Sequence, residues 1–148
     1  MELNKNQTLH RAINAHKEGK LEEAERLYRE ILKVDSNHLD ANNNLGVLLQ
    51  ASNRLEEAEK SHKKAIELKP DYAEAHYNLG NTLNNLKKFE EAEKSYKKAI
   101  ELKPDYLGAH QNLGITFNKL GHLEKAKECY EKVIEINPNY PVSHNNLG

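Results

Sequence analysis

Asn44, Asn78, Asn112 and Asn146 each stand directly before a Leu-Gly pair, at one constant interval along the chain. An amide both donates and accepts hydrogen bonds. A regular row of amides can therefore pair with the main chain of an extended peptide while reading little of its side chains. Asn43, Asn81, Asn84, Asn85, Gln111, Asn118 and Asn145 add amides in the same segments. Tyr77, Val47 and Ile115 fall on the same side and can supply apolar contacts. A structural role is the alternative, because evenly spaced amides can also satisfy hydrogen bonds between successive repeats.

His76, His110 and His144 share another position of the same interval. Shared zinc ligation needs nitrogens about 2 Å from one metal, whereas stacked helices lie about 8–10 Å apart. No carboxylate or cysteine recurs with these histidines, so packing is expected and no metal. Cys129 is the single cysteine, which excludes an internal disulfide, and it stands where other repeats have Ser61 and Ser95. A packing or surface residue is expected there. The sequence has no Gly-rich phosphate loop, no paired cysteine ligands and no nucleophile motif, so neither a cofactor nor a catalytic set is expected.

The elements that would position these residues follow from the repetition. Residues 39–72, 73–106 and 107–140 are three copies of one unit, residues 5–38 a degenerate copy, and 141–148 the start of another. Glu56–Tyr72 and Glu90–Tyr106 differ only at His62 against Tyr96. Fixed-period repeats make a linear array, and no linker divides residues 1–148, so one domain is expected. The hydrophobic fraction is 37%, charged residues are 30% and the mean hydropathy is −0.91. That is polar for one round core and suits stacked thin layers. The net charge of −1 gives no bulk attraction to nucleic acid or an anionic membrane. No run approaches the roughly 20 apolar residues of a membrane helix, and no apolar leader opens the chain. A cytoplasmic protein is expected.

Within a copy, Ala75, Leu79, Leu83 and Leu86 recur at helical spacing, and Phe89, Ala92, Tyr96, Ala99 and Ile100 do so again after Lys87-Lys88. Each copy thus predicts two helices and a tight turn. Pro104 ends the second helix. Asp71 with Glu74 has the spacing of a capping box. Glu22-Glu23, Glu56-Glu57 and Glu90-Glu91 open the second helices, and Lys63-Lys64 and Lys97-Lys98 are expected to close them, in accord with the helix macrodipole. Gly46, Gly80 and Gly114 lie mid-helix, where glycine costs about 1 kcal/mol against alanine. Ala58, Ala92 and Ala126 follow 12 residues on, so close contact of small residue with small residue is the expected reason, with Tyr96 and Tyr130 filling the layer beside them.

His76, Leu79-Gly80, Leu83, Ala92, Tyr96 and Pro104, with Leu45-Gly46 and Leu113-Gly114 in the flanking copies, resemble the tetratricopeptide repeat pattern. The resemblance implies an all-α solenoid, a right-handed superhelix of antiparallel helix pairs whose first helices line the concave face. It implies a protein or peptide partner on that face, with Asn44, Asn78, Asn112, Asn146, Tyr77, Asn81 and Gln111 as binding residues. Co-chaperones of this family clamp a C-terminal carboxylate with lysine, arginine and asparagine. The matching places here carry Asp40, Glu74, Asn78 and Asn112, so such a clamp is not expected. The asparagine before Leu-Gly is similar to the repeat arm of O-linked N-acetylglucosamine transferases. A substrate-recruiting arm of a larger transferase is therefore the alternative function. Self-association through the ends of the stack is also expected.

Overall fold

The structure, a computed structural model, describes residues 3–140. His144, Asn145, Asn146 and the partial fifth repeat lie outside the described residues.

Each copy forms a pair of helices. The chain divides between Pro70 and Asp71 into two compact units. In the first, α1 (Lys5–Lys17) pairs with α2 (Leu21–Val34), and α3 (Leu39–Ala51) with α4 (Leu55–Leu68). In the second, α5 (Ala73–Asn85) pairs with α6 (Phe89–Leu102), and α7 (Leu107–Lys119) with α8 (Leu123–Ile136). Successive pairs meet through α2 against α3 in the first unit and α6 against α7 in the second. Among the described residues all regular structure is helical.

The turn inside each pair needs one left-handed residue. Gly19 and Gly121 fill that place at φ 78° and 80°, and Asn53 and Lys87 fill it at 60° and 62°. Glycine and asparagine adopt this conformation readily, whereas a lysine there is uncommon. The turn is closed by Lys87 N–H to Asn84 O at 2.9 Å and Lys88 N–H to Leu83 O at 2.8 Å, the paired bonds of a helix C-terminus.

The second helices end on an extended residue. Lys69, Lys103 and Asn137 have φ between −139° and −144°, as expected before proline. Asp35 takes φ −147° before Ser36, so the stop in the first copy does not depend on proline.

Two expectations about the helix ends fail. Asp71 does not cap α5: the N-cap is Tyr72, with no side-chain cap bond. The helix begins one residue later than the Asp71–Glu74 spacing requires. The same place before α3 is His38, whose Nδ1 accepts from Ala41 N–H at 3.1 Å. Nor do lysines close α4 and α6, since neither last turn holds a base. Lys63 and Lys97 sit mid-helix and reach back one turn to Glu59 and Glu93, each at 2.6 Å. Glutamate ahead of lysine at this spacing is the favourable order.

The neighbours of the mid-helix glycines show what the close approach of the two helices accommodates. A Cβ on Gly80 would lie 2.6 Å from Tyr96 Cε1, and all three nearest atoms belong to the Tyr96 ring. Gly114 meets Tyr130 in the same way, at 2.7 Å, and Gly46 meets His62 at 2.5 Å. Each glycine makes room for the aromatic ring of its partner helix, and Ala92 is fully buried on that helix. Tyr28, Tyr96, Tyr130 and His62 are all buried, so one ring per helix pair anchors each layer.

Candidate functional site

In the second unit the amides of α5 and α7 converge on the tip of the Tyr96 ring. Its hydroxyl donates to Asn81 Oδ1 at 2.5 Å and accepts from Asn84 Nδ2 at 3.3 Å. Asn112, on α7, donates to the same Asn81 Oδ1 at 2.8 Å and to the Tyr77 hydroxyl at 3.3 Å. The Thr116 hydroxyl lies 2.9 Å from Asn84 Oδ1. These bonds tie α7 to α5 and α6 through polar groups that would otherwise be half-buried and unpaired, at a cost of about 1–3 kcal/mol each.

Tyr77 stands beside this network. Its ring centroid is 4.8 Å from that of Tyr106 and 6.1 Å from that of Tyr96. A Cβ on residue 108 would lie 2.8 Å from the Tyr77 hydroxyl, so Gly108 keeps the place open. Burial raises the Tyr96 hydroxyl far above its ordinary pKa and pushes Tyr106 up to about 12. Both stay neutral in the physiological range.

Of the sequence-predicted residues, Tyr77, Asn81 and Asn112 are thus brought into one hydrogen-bonded group. Asn78 and Gln111 are half-buried on the same two helices. Asn44 belongs to the first unit, where its amide hydrogen-bonds the Tyr28 hydroxyl, which also lies 3.4 Å from His16 Nδ1. Asn146 lies outside the described residues. The internal partners of Asn81 and Asn112 fulfil the structural role set out for the amides, but they do not exhaust these groups. Asn81 Nδ2 and Asn112 Oδ1 make no hydrogen bond within the protein among the described residues. A donor and an acceptor thus remain on two amides whose orientations are fixed.

The tyrosine partners could have been found in the sequence. The residue 12 before each core tyrosine reaches its tip, as His16 does for Tyr28, Asn84 for Tyr96 and Asn118 for Tyr130.

Known proteins place these repeats. The tetratricopeptide repeat model matches residues 73–106 and 108–140, a further model of that repeat matches 15–61, and a TPR repeat model matches 49–87. The chain belongs to the tetratricopeptide repeat family. No curated protein matches it. Among solved structures, a crystal structure of MamA superposes with a TM-score of 0.86 at 29% identity, covering 92% of this chain and 74% of MamA. Another MamA structure gives 0.83 at 30% identity, over 87% and 75%. PilF of Pseudomonas aeruginosa gives 0.83 at 26% identity, over 93% and 63%. The fold class is therefore all-α, of tetratricopeptide type. No match ties these repeats to O-linked N-acetylglucosamine transferases in particular.

His110 is buried, with Nε2 2.8 Å from Pro104 O. It serves this tetratricopeptide layer as a hydrogen-bonding core residue. Among the described residues no group of three or more His, Cys, Asp or Glu side chains could hold a metal. Cys129 is buried, and burial pushes its thiol up to about 11, with Glu128 adding to the shift. It packs as a thiol, as expected of a cysteine in apolar surroundings. No helix of the described residues is long and apolar enough to cross a membrane.

Proposed function

We propose that this chain is a protein–protein interaction module that holds an extended peptide segment of its partner against the first helices of its repeats. One observation carries the proposal: Asn81 and Asn112, 2.8 Å apart on neighbouring first helices, retain one donor and one acceptor. An extended peptide offers a carbonyl and an N–H at such a spacing, and main-chain pairing of this kind gives affinity with little side-chain selection. Because the amides are locked by Tyr77 and Tyr96, little ordering remains to be done when the ligand arrives. Tyr77, Asn78 and Gln111 extend the same surface, with Asn44 and Asn146 as the corresponding residues of other repeats.

The test uses peptides selected from a displayed random library. Asn81→Asp keeps the oxygen that accepts from Tyr96 and Asn112 but removes the free donor. Selected peptides are expected to bind this variant at least about tenfold more weakly, a loss of one good hydrogen bond to a fixed partner. Its melting temperature should stay near that of the parent. Unchanged affinity would refute the main-chain pairing.

The asparagine before Leu-Gly also favours a second role, as the substrate-recruiting arm of a larger transferase. The reading frame after Gly148 decides this: a catalytic domain supports the arm, a stop codon or more repeats the adaptor. Self-association through exposed repeat surfaces is part of the same proposal and is checked by light scattering over a range of concentrations.

A further inference from the structure

The outer seams between second helices differ in charge. In the first unit Arg29, on α2, bonds Glu25 on its own helix at 3.0 Å and Glu57 on α4 at 3.4 Å. Arg54, at the start of α4, bonds Glu57 at 2.7 Å and reaches back to Glu25 at 2.8 Å. This seam is closed by ion pairs in both directions. The corresponding places in the second unit are Lys97, Glu93, His122 and Lys125. Lys97 keeps its own-helix partner Glu93 at 2.6 Å. Across the seam it faces Lys125, where the first unit has Glu57. Lys125 has no ion pair among the described residues.

The two lysines instead converge on Phe117. Each ammonium lies 5.7 Å from the centroid of that ring. With Lys132, Glu128 and Cys129 they line an open groove of about 360 Å³. Two features of this arrangement are electrostatically unfavourable. Lys125 sits in the first turn of α8, where the macrodipole disfavours a cation. It also sets like charge beside like charge in a place that the first unit fills with ion pairs. Local violations of this kind are typical of functional sites.

We propose that the groove between α6 and α8 of the second unit docks an acidic segment of a partner protein. A side-chain carboxylate bridges Lys97 and Lys125, taking the role that Glu57 has towards Arg29. A neighbouring side chain of the segment lies along the methylene stems of Lys97 and Lys125, which already lie over the buried Phe117. The lysine stems that line the groove offer apolar surface to a peptide side chain, from which a small inorganic anion gains nothing. Glu128 on the rim limits the negative charge the groove accepts, so one or two carboxylates fit it better than a polyphosphate chain does. Its charged residues stand on the second helices α6 and α8, with Phe117 and His110 of α7 between them, and none of the amides Asn81, Asn84 and Asn112 lines it.

Lys125→Glu tests the proposal, because it restores the charge pattern of the first unit and should fold at least as well as the parent. The probe is a fluorescein-labelled peptide of alternating glutamate and leucine, followed by anisotropy, with its glutamine counterpart as control. The parent is expected to bind the glutamate peptide at least tenfold more tightly than the glutamine one. Lys125→Glu is expected to lose that preference, while Asn81→Asp retains it. A salt-dependent affinity in the parent and a thermal melt of the variant no lower than the parent's complete the expected result. Equal binding of both peptides by the parent, or of the glutamate peptide by parent and Lys125→Glu, would overturn the proposal. So would displacement of the peptide by inorganic phosphate or an oligonucleotide at comparable concentration. Self-association of the parent that Lys125→Glu abolishes would assign the groove to a second copy and likewise overturn it.

Discussion

The first unit and the second share a packing scheme and differ in where their polar groups bond. In the second, the core ring Tyr96 reaches past the layer, and its hydroxyl is held by Asn81 and Asn84. In the first, the ring at the same place in α4 is His62, fully buried, and neither nitrogen has a hydrogen-bond partner among the described residues. Tyr and His fill the same space above Gly80 and Gly46, but imidazole stops short of the amide layer. Conversely, the first unit ties its outer seam with Arg29, Arg54, Glu25 and Glu57, and the second leaves that seam cationic. The packing residues are therefore interchangeable between repeats, while the polar positions are independent of them and open to function.

The largest effect is expected where the shared scheme is broken. Gly80→Leu drives a side chain into the Tyr96 ring, which its hydrogen bonds hold in place. Overpacking of this kind costs about 3 kcal/mol or more, and urea unfolding should show it. An unperturbed midpoint would mean that the ring can swing away and that glycine is not required there.

His62 gives the next effect, and it depends on pH. Burial lowers its pKa to about 4 from an ordinary 6.5. Below pH 6.5 the unfolded chain takes up a proton that the folded chain refuses, so stability falls as the pH drops from 6.5 towards 4. Between pH 7.5 and pH 5 this amounts to about 2 kcal/mol. His62→Tyr should stabilise the protein and remove that component. Parallel pH profiles for parent and variant would show that imidazole burial is not the cause.

Asn112→Ala removes the bonds from α7 to Tyr77 and Asn81. A loss of about 1 kcal/mol is expected, with weaker peptide binding. Asn44→Ala, which removes the bond to Tyr28, is the matching change in the first unit, and a clear difference between the two would locate the stronger amide contribution. The smallest effect is that of Lys125→Glu on stability, a rise in Tm of no more than about 1 °C, because exposed ion pairs contribute little.

Most of the fold was legible from the interval between copies. Ala73, Leu107 and the extended residues before Pro70 and Pro104 fall where the helical spacing puts them. What the sequence hid was which atoms meet. Gly80 and Ala92 are both small and 12 residues apart, which suggests a close approach of the two helices with Tyr96 beside it, but not that the Tyr96 ring lies directly over Gly80. Asp71 and Glu74 had the right types for a cap, but Tyr72 took that place, and a shift of one residue suffices to undo a capping box. The amide row was visible from spacing alone. That Asn112 turns to Asn81 and Tyr77 depends on the approach of α7 to α5, which one repeat does not contain. The exchange of Glu for Lys at residue 125 was readable by laying the copies over one another, but its meaning required Lys97 and Phe117 to come together in space.

The account turns on two amides that are structural on one edge and free on the other. A ¹⁵N-resolved NMR titration with a selected peptide observes both directly. The account predicts that the side-chain NH₂ signals of Asn81 shift furthest, that Gln111 and Asn78 follow, and that the ion-paired seam of the first unit moves little. Shifts confined to other residues, with the Asn81 signals unmoved at saturation, would contradict it.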